Sequence, residues 1–497
     1  MKASSRVQSK IAALVLAVLV AVLGAPSPAS ALAPPNTLRN PLRMSTPDPQ
    51  VTSAGGFYYL TYSQGAVISV ARAASLTGLA AAPATVVWTG ATDDPARCCD
   101  LWAPELHQVG DHWYVYYAAD DGTASHHALQ VLESADPLGP YHFKNTLTGG
   151  ALSTDPTVLD QGGTHFLLWS KDLGDGTSGL AISAMSNAWT LTGTPTVISR
   201  PTNSWETVGQ AVDEGPSVLQ RDGKLFVTFA ASSCGSADQA LGMLSFTGTD
   251  VLSASAWTKS AGPVFARSDA NWVFGPGQNS YFSSPDGSEV WNAYYAVTSP
   301  GGAAYGSCGA DRSLRVQKVR WSANGTPLFG APAASWQSQT LPAGDPGGAV
   351  VPTGFYRLTP QHDTGKALDV GGCSSADNAK VDTYAYNGGR CQQWFIDYQG
   401  DGSYTISDRN SGKALEVLNC ASARNSTVDI YPYWGGDCQE WYLDPVGDGS
   451  YRITHRLTGQ ALDVLNCSTA AVPAVDIYPY WGAGLGTCQQ WKLEPVT

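Results

Sequence analysis

The chain has 497 residues, of which only 14% are charged, and its formal net charge is −13. Because an acidic chain is repelled by nucleic acid and by anionic membranes, we expect neither as a partner. The 53 glycines and 16 tryptophans favour short strands, tight turns and flat aromatic surfaces over long helices, and neutral sugars are ligands that suit such surfaces.

Residues 1–31 have the features of a secretory signal peptide. Basic residues precede an apolar run over 11–23, and small residues at 29–31 form a cleavage site. A membrane anchor is the alternative, but the run is too short for a comfortable span. We therefore expect a secreted, extracellular protein in which the 10 cysteines form disulfides.

Residues 34–330 contain a repeat that occurs five times. In each copy a polar cluster precedes a strand rich in aromatic residues. The clusters lie at residues 48–51, 103–106, 155–158, 214–218 and 275–279, and the strands begin at 57, 112, 165, 225 and 290. A period of roughly 55 to 65 residues made of short strands is typical of propeller blades, so we predict a five-bladed β-propeller.

Three of these clusters carry an acid, namely Asp48, Asp155 and Glu214. We predict that the three acids occupy the same position of the repeat and surround one central axis. The alternative is that they start turns, since Asp-Pro and Glu-Gly-Pro are common in turns. Because the acid recurs in three repeats, we favour a shared functional site.

A second, shorter repeat follows a segment rich in Ala, Pro, Gly and Ser, residues 331–352, which predicts a linker. Within residues 353–497 the copies begin at 356, 404 and 451, so the starts are 48 and 47 residues apart. Three four-strand copies can share one core only by closing around a three-fold axis. The sequence therefore predicts an all-β chain, a five-bladed β-propeller followed by a β-trefoil.

Each copy of the shorter repeat contains two cysteines, which predicts one disulfide inside each copy. These pairs are Cys373–Cys391, Cys420–Cys438 and Cys467–Cys488. Of the other four cysteines, Cys234 and Cys308 both follow aromatic strands of adjacent blades, so we prefer that pair. Cys98 and Cys99 would then form a vicinal disulfide, although the spacing also permits a crossed pairing.

The five clusters, in order, resemble glycoside hydrolase family 43. The matching motifs are Asp48-Pro49, Trp102-Ala103-Pro104-Glu105, Asp155-Pro156, Glu214-Gly215-Pro216 and Gly275-Pro276-Gly277. The resemblance implies inverting hydrolysis, in which Asp48 is the base that activates water and Glu214 is the acid that protonates the leaving oxygen. Asp155 would raise the pKa of the acid and orient it.

Other residues of the clusters have two interpretations or depart from the family. Trp102 is expected to bind substrate in the sugar pocket or, equally, to pack inside its blade, and Glu105 is expected to be structural. Gln278, a candidate substrate-binding residue, stands where relatives carry a histidine close to a metal ion. We therefore expect no metal site and no required cofactor, and the lost imidazole argues against a structural calcium. Further subsite candidates are Asp100, Trp205 and Glu206.

The shorter repeat resembles the ricin-type lectin family, known in enzymes as carbohydrate-binding module family 13. Its signature, Gln-x-Trp, occurs three times, and the Trp is expected in the core. The resemblance implies that an acid and an aromatic residue of each copy hold a sugar; a purely structural trefoil is the alternative. The matching positions are Asp369, Tyr384 and Gln392, then Glu416, Tyr431 and Gln439, then Asp463, Tyr478 and Gln489.

These features together predict a monomeric, secreted, inverting glycosidase that acts on plant cell-wall polysaccharide. The expected reaction is release of α-L-arabinofuranosyl units from arabinan or arabinoxylan. A β-xylosidase or exo-galactanase of the same family is the alternative among enzymes. A non-catalytic glycan-binding protein is the alternative outside them.

Overall fold

The computed structural model describes most of the chain after residue 36. The described residues are 37–44, 46–90, 94–149, 152–298, 308, 312–335, 337–347, 351–399, 403–446, 449–481 and 486–496. The predicted signal peptide, residues 1–31, lies outside them. Within these ranges no helix is long and apolar enough to cross a membrane.

Five consecutive antiparallel sheets form the blades of a propeller, as predicted. A short strand, β1 (Thr37–Leu38), precedes them. Blade 1 contains β2 (Gln50–Ala54), β3 (Phe57–Gln64), β4 (Val67–Ala73) and β5 (Ala84–Thr89), with α1 (Leu76–Ala81) between the last two. Blade 2 contains β6 (Cys99–Val109), β7 (His112–Asp120), β8 (Ala128–Ser134) and β9 (His142–Thr146).

The remaining blades follow the same order. Blade 3 contains β10 (Ser153–Gln161), β11 (Thr164–Asp172), β12 (Ser178–Asn187) and β13 (Thr190–Ser199). Blade 4 contains β14 (Asp213–Arg221), β15 (Lys224–Ala231), β16 (Ala240–Phe246) and β17 (Trp257–Lys259). Blade 5 contains β18 (Phe274–Ser283), β19 (Val290–Val297) and β20 (Ser313–Lys318). The predicted aromatic segments are the second strand of every blade.

The ring closes between the last blade and the beginning of the propeller. The first strand of each blade packs beside the first strand of the next, and β18 packs beside β2. The outer edge of β20 is covered by the N-terminal segment, because Leu42 N–H donates to Leu314 O at 2.8 Å and Leu314 N–H donates to Arg43 O at 2.8 Å. The chain thus supplies part of the fourth strand that blade 5 lacks, and this covers an otherwise open sheet edge.

The apolar core of the propeller is divided among the gaps between blades. Each gap holds its own cluster of buried side chains, for example Leu168 with Val227 between blades 3 and 4, and Tyr116 with Trp169 between blades 2 and 3. The apolar side chains of neighbouring blades therefore pack against each other. The polar residues at the ends of the first strands remain around the central axis.

The described part of the predicted linker, 331–352, packs against the propeller instead of forming a free tether. After β21 (Arg320–Trp321) and β22 (Pro327–Leu328), β23 (Gln339–Thr340) pairs with β1, and Leu341 is buried. Asp345 accepts a hydrogen bond from Leu76 N–H at 2.9 Å, at the start of α1. Composition alone could not reveal this pairing, since its partner strand lies about 300 residues earlier; the domain boundaries at 330 and 353 stay predictions.

The C-terminal part is a closed barrel built from three similar copies, as predicted for a trefoil. Its strands are β24 (Gly354–Pro360), β25 (Lys366–Val370), β26 (Ala379–Ala385), β27 (Trp394–Tyr398), β28 (Tyr404–Asp408), β29 (Ala414–Val417), β30 (Ser426–Tyr431), β31 (Trp441–Pro445), β32 (Ser450–His455), β33 (Ala461–Val464), β34 (Val475–Tyr478) and β35 (Gln490–Pro495). Trp394, Trp441 and Trp491 are fully buried. Each indole N–H donates to a backbone carbonyl of its own copy at 2.9–3.0 Å, so the predicted core role of these residues is confirmed.

Short 3-10 turns connect many of these strands. They are Pro95–Arg97, Ala124–His126, Ser204–Glu206 and Ala254–Ala256 in the propeller, and Gly371–Cys373, Arg390–Gln392, Leu418–Cys420, Asp437–Gln439, Leu465–Cys467 and Thr487–Gln489 in the trefoil. All 10 cysteines lie in the described ranges and are paired. The pairs are Cys98–Cys99, Cys234–Cys308, Cys373–Cys391, Cys420–Cys438 and Cys467–Cys488, as preferred from the sequence.

Candidate active site

A backbone kink recurs at the start of the first strand of every blade. The residue before the cluster proline adopts a positive φ in all five: Asp48 46°, Ala103 44°, Asp155 54°, Gly215 57° and Gly275 53°. A residue before proline normally favours extended backbone, and a positive φ is uncommon outside glycine. In blades 2 to 5 the hydrogen-bonded register of the ladder also shifts at this point. The kink thus interrupts strand pairing where polar side chains face the axis.

The kink corrects one expectation about the three acids. Asp48 and Asp155 are equivalent, but the equivalent residue in blade 4 is Gly215, and Glu214 precedes it. The ladder agrees, because Glu214 pairs with Ala230 as Thr154 pairs with Ser170. The prediction of three acids at one position of the repeat was therefore wrong by one residue. The cause is that the left-handed position of blade 4 is a glycine, so the carboxylate comes from the neighbouring position.

The three acids nevertheless share one cavity, of about 900 Å³, at the centre of the propeller. Trp102 and Gln278 also line it, so the structure brings these two predicted substrate-binding residues together with the three predicted catalytic acids. The remaining lining residues come from blades 3, 4 and 5. They include Ser170, Lys171, Asp172, Gln210, Tyr295 and Arg312.

Asp48 forms an ion pair with Arg312. The guanidinium Nη1 lies 2.6 Å from the carboxylate Oδ1 and the group also lies over the ring of Tyr295, 4.8 Å from its centroid. The ion pair fixes the Asp48 carboxylate at the wall of the cavity.

Asp155 is held by three donors on one oxygen. Ser170 Oγ lies 2.7 Å from Oδ2, Thr154 Oγ1 lies 3.0 Å away, and Gly215 N lies 3.3 Å away. Burial raises the pKa of this carboxyl, and the charge of Asp48 adds to the rise, while the hydrogen bond from Ser170 opposes it. The three bonds fix the Asp155 side chain beside the backbone that carries Glu214.

The third acid of the cavity, Glu214, has a raised pKa. Burial raises its pKa to about 8, and the negative charges of Asp155 and Asp48 contribute to the rise. Gln239 Nε2 donates to Oε1 at 3.0 Å, and Tyr295 Oη donates to Gln239 Oε1 at 2.6 Å. Because Oε1 is occupied by an amide donor, the proton of the neutral acid belongs on Oε2. Glu214 can therefore give up a proton at neutral pH.

The cluster of the fifth blade that contains Gln278 contributes neutral groups to the cavity and no imidazole. Gln278 lies so close to blade 4 that a Cβ at Gly215 would meet its Oε1 at 2.3 Å. A Cβ at Gly277 would meet Gln239 Oε1 at 2.4 Å and Tyr295 Oη at 2.6 Å. The two glycines therefore leave room for a tightly packed network of amides and a phenol.

No group of three or more His, Cys, Asp or Glu in the described ranges could hold a metal ion. The expectation about calcium stays a prediction.

The position of Trp102 is compatible with both interpretations, and its role in substrate binding stays a prediction. It lines the cavity with 40% of its surface exposed, and its other face stacks on His127 with ring centroids 3.9 Å apart. Glu105 is buried, and its carboxylate lies 2.7 Å from His107 Nε2, as expected of a structural residue.

The other subsite candidates, Asp100, Trp205 and Glu206, are not among the cavity residues. Glu206 instead accepts hydrogen bonds from two backbone N–H groups, at 2.6 and 2.7 Å, and pairs with Lys259.

Four important residues were not predicted: Ser170, Gln239, Tyr295 and Arg312. Each comes from the second or third strand of a blade or from the residues beside such a strand. A usable signal was the end of the second strand, where Ser170 follows a run of apolar residues and Tyr295 closes an aromatic one. The other two residues have no comparable motif.

In the trefoil the predicted acids are paired across adjacent strands. Asp369 lies opposite Asp382, Glu416 opposite Asp429, and Asp463 opposite Asp476. Burial raises the pKa of Asp369 to about 7, with a contribution from the charge of Asp382, and burial likewise raises the pKa of Asp429 to about 7, with a contribution from Glu416.

The glutamines of the Gln-x-Trp motifs are buried and make the same bonds in each copy. Gln392, Gln439 and Gln489 each accept a backbone N–H, at 2.8–2.9 Å, and donate to a backbone carbonyl at 3.0–3.2 Å. Gln439 Nε2 also lies 2.8 Å from Glu416 Oε2. These glutamines therefore position the loop and the acid, whereas Tyr384, with 43% of its surface exposed, is accessible to a ligand.

Comparison with known proteins agrees with this architecture. Residues 38–327 match glycosyl hydrolases family 43, and residues 334–431, 410–478 and 437–497 match the ricin-type β-trefoil lectin domain-like family. An extracellular exo-α-(1→5)-L-arabinofuranosidase of Streptomyces avermitilis is 39% identical over 336 residues, which is 65% of this chain and 69% of the relative. α-L-Arabinofuranosidase B of Pyricularia oryzae is 33% identical over 348 residues, which is 67% of this chain and 71% of the relative.

A solved structure gives the same result. The crystal structure of an α-L-arabinofuranosidase from Lactobacillus brevis superposes with a TM-score of 0.57 at 30% identity, covering 60% of this chain and 97% of that one. The expected family resemblance is confirmed: the chain belongs to glycoside hydrolase family 43, is a glycosidase that hydrolyses O-glycosyl bonds, and carries a ricin-type lectin-like β-trefoil.

Proposed function

We propose that the protein is a secreted, inverting α-L-arabinofuranosidase that acts on plant arabinan or arabinoxylan. The observation that carries the proposal is the contrast between two carboxyls in one cavity. Asp48 is ion-paired with Arg312 at 2.6 Å, whereas the pKa of Glu214 is raised to about 8 by burial and by neighbouring acids. Hydrolysis with inversion requires one carboxyl that accepts a proton and a second one that donates a proton.

In the proposed reaction, Asp48 accepts a proton from a water molecule as that water attacks the anomeric carbon. Glu214 donates its proton to the glycosidic oxygen, so the bond between sugar and leaving group breaks without a charged alkoxide. Water attacks from the face opposite the leaving group, and the configuration at the anomeric carbon inverts. Asp155 keeps Glu214 protonated before the reaction and fixes its orientation.

The choice of arabinofuranosyl substrate and the extracellular location are supported by the relatives. The protein from Streptomyces avermitilis is named as an extracellular enzyme of this activity, and the one from Lactobacillus brevis as an α-L-arabinofuranosidase. The exposed face of Trp102 supplies a flat apolar wall for a sugar ring. The matching test is product release from arabinan, arabinoxylan, xylan and galactan, where we expect arabinose from the first two.

The trefoil, in this proposal, holds the enzyme on the polymer through three weak sites. Each site consists of the acid and the tyrosine of one copy: Asp369 with Tyr384, Glu416 with Tyr431, and Asp463 with Tyr478. Three weak sites on one rigid body gain by avidity on a repeating ligand. Migration of the full chain through native gels with and without arabinan tests this; unchanged mobility on all four polysaccharides would refute binding by the trefoil.

A further inference from the structure

Two tryptophans of the trefoil occupy equivalent positions that the proposed sugar sites do not use. The buried glutamine of each copy accepts a backbone N–H from one loop residue: Asn387 in the first copy, Trp434 in the second and Trp481 in the third, at 2.8, 2.8 and 2.9 Å. This shared bond defines the structural equivalence. The first copy therefore differs from the other two by lacking an aromatic side chain here.

Both indole rings face solvent. Trp434 has 58% and Trp481 40% of its surface exposed. An exposed indole face can stack on the C–H face of a neutral sugar. A pair of such rings at matching positions is therefore a candidate ligand surface.

Each ring is held in place by neighbours that belong to the same copy. The Trp434 ring packs on Gly436, where a Cβ would lie 1.9 Å from its Cη2. The Trp481 ring meets Tyr478 edge to face, with centroids 5.5 Å apart at 73°. Because these contacts fix the rings beforehand, little rotamer freedom is lost when a ligand binds.

We propose that Trp434 and Trp481 each add a stacking surface beside the acid–tyrosine site of their own copy, the second and the third. Each of these two copies then holds consecutive units of a neutral oligosaccharide. The first copy, with Asn387, then holds a single unit. This inference rests on the proposed binding function of the trefoil. It assigns different ligands to the copies: the second and third copies bind several consecutive sugar units, and the first copy binds one terminal or side-chain sugar.

The test uses the full chain with Glu214→Gln, which keeps the polysaccharide intact. Retention on arabinan in native gels and binding of L-arabinose and linear α-1,5-arabinotriose by calorimetry are measured for Trp434→Ala/Trp481→Ala. We expect about tenfold weaker binding of the polymer and the trisaccharide, and a much smaller loss of monosaccharide binding. Leu457→Ala, which removes another exposed apolar side chain of the trefoil (49% exposed), is the matched control and should change neither.

The reciprocal variant, Asn387→Trp, should strengthen retention on arabinan. Because a gain of binding cannot result from loss of folding, this variant shows whether weaker binding of the double variant is due to the missing indole rings. Equal retention of the double variant and its parent would overturn the inference, as would equal losses for monosaccharide and trisaccharide. If the parent itself is retained by none of the four polysaccharides, the proposed binding function fails and this inference fails with it. If the parent is retained and the double variant is retained equally well, the second stacking surface is refuted, but the acid–tyrosine sites are not.

Discussion

The propeller and the trefoil are both built from repeats, yet they use their repeats in opposite ways. In the propeller the first strands of all five blades meet at one axis, and each contributes a side chain at or beside its cluster to a single cavity. In the trefoil the three copies keep the same buried Trp and Gln, and each copy has its own acid and aromatic residue. Repeats whose side chains meet in one cavity can each supply a different group for one reaction. Repeats with separate outward-facing sites can supply several weak binding sites for one polymer.

The largest effect should come from the propeller acids. Glu214→Gln removes the proton donor, and Asp48→Asn removes the base, so each should lower kcat on arabinan by about 10²- to 10⁴-fold. Because the trefoil binds independently in this account, retention on arabinan in a native gel should not change. Either variant keeping more than a tenth of wild-type activity would break the assignment.

Replacing Asp155 by Asn should lower kcat by about 10- to 100-fold and change its pH dependence. A nearby negative charge raises the pKa of Glu214, so its removal lowers that pKa, and Glu214 loses its proton at a lower pH. The alkaline limb of kcat, which reflects deprotonation of Glu214, should therefore move to lower pH.

The matched control for that variant is Ser170→Ala, which removes a hydrogen bond to Asp155 but no charge. Its alkaline limb should move far less than that of Asp155→Asn. The same displacement in both variants would assign the effect to packing and contradict the electrostatic explanation.

Tyr295→Phe should have an intermediate effect, with kcat about 3- to 10-fold lower and KM little changed. The variant leaves Gln239 without the phenol that orients it, and Gln239 in turn holds Glu214. Tyr294→Phe is the control in the next position, because the Tyr294 hydroxyl is buried with no hydrogen-bond partner among the described residues. Comparable losses in the two variants would rule out the relay.

A single change in the trefoil should be smaller still. Asp463→Asn should weaken retention on arabinan about two- to fivefold, because two sites remain, and should leave hydrolysis of a soluble aryl arabinofuranoside unchanged. The comparison between the two domains would fail if this variant altered turnover of the small substrate.

The smallest effect concerns stability and depends on the raised pKa of Glu214. The pKa of Glu214 is about 8 when folded against an ordinary value of 4.5, so the folded state binds an extra proton between these values and loses stability as pH rises through them. Glu214→Gln removes this loss. Its melting temperature should match the wild type near pH 4 and exceed it by roughly 2–4 °C at pH 8.5. A constant difference at both pH values would contradict the raised pKa.

Much of the fold could be predicted because both repeats are visible in the sequence. The period of the aromatic strands gives the five blades, and the three Gln-x-Trp motifs with their cysteine pairs give the trefoil. The site could be predicted only as far as each repeat carries its own motif, as Asp48, Asp155 and Glu214 do.

The contacts that could not be predicted form only when the ring of blades closes. Arg312 and Asp48 are 264 residues apart in sequence, and only the contact between blades 5 and 1 brings them together. The displacement of Glu214 by one residue was not predicted for a different reason. It follows from the positive φ at Gly215, the residue before the proline in blade 4. An alignment of the five repeats on their prolines, instead of on the acids, would have shown it.

The most direct test of the central claim is the configuration of the first product, followed by ¹H NMR during the first minutes of arabinan hydrolysis. With Asp48 activating water and Glu214 protonating the leaving oxygen, β-L-arabinofuranose should appear first, and the α anomer should follow by mutarotation. Initial release of the α anomer would show retention through a covalent intermediate and would contradict the roles proposed for these two carboxyls.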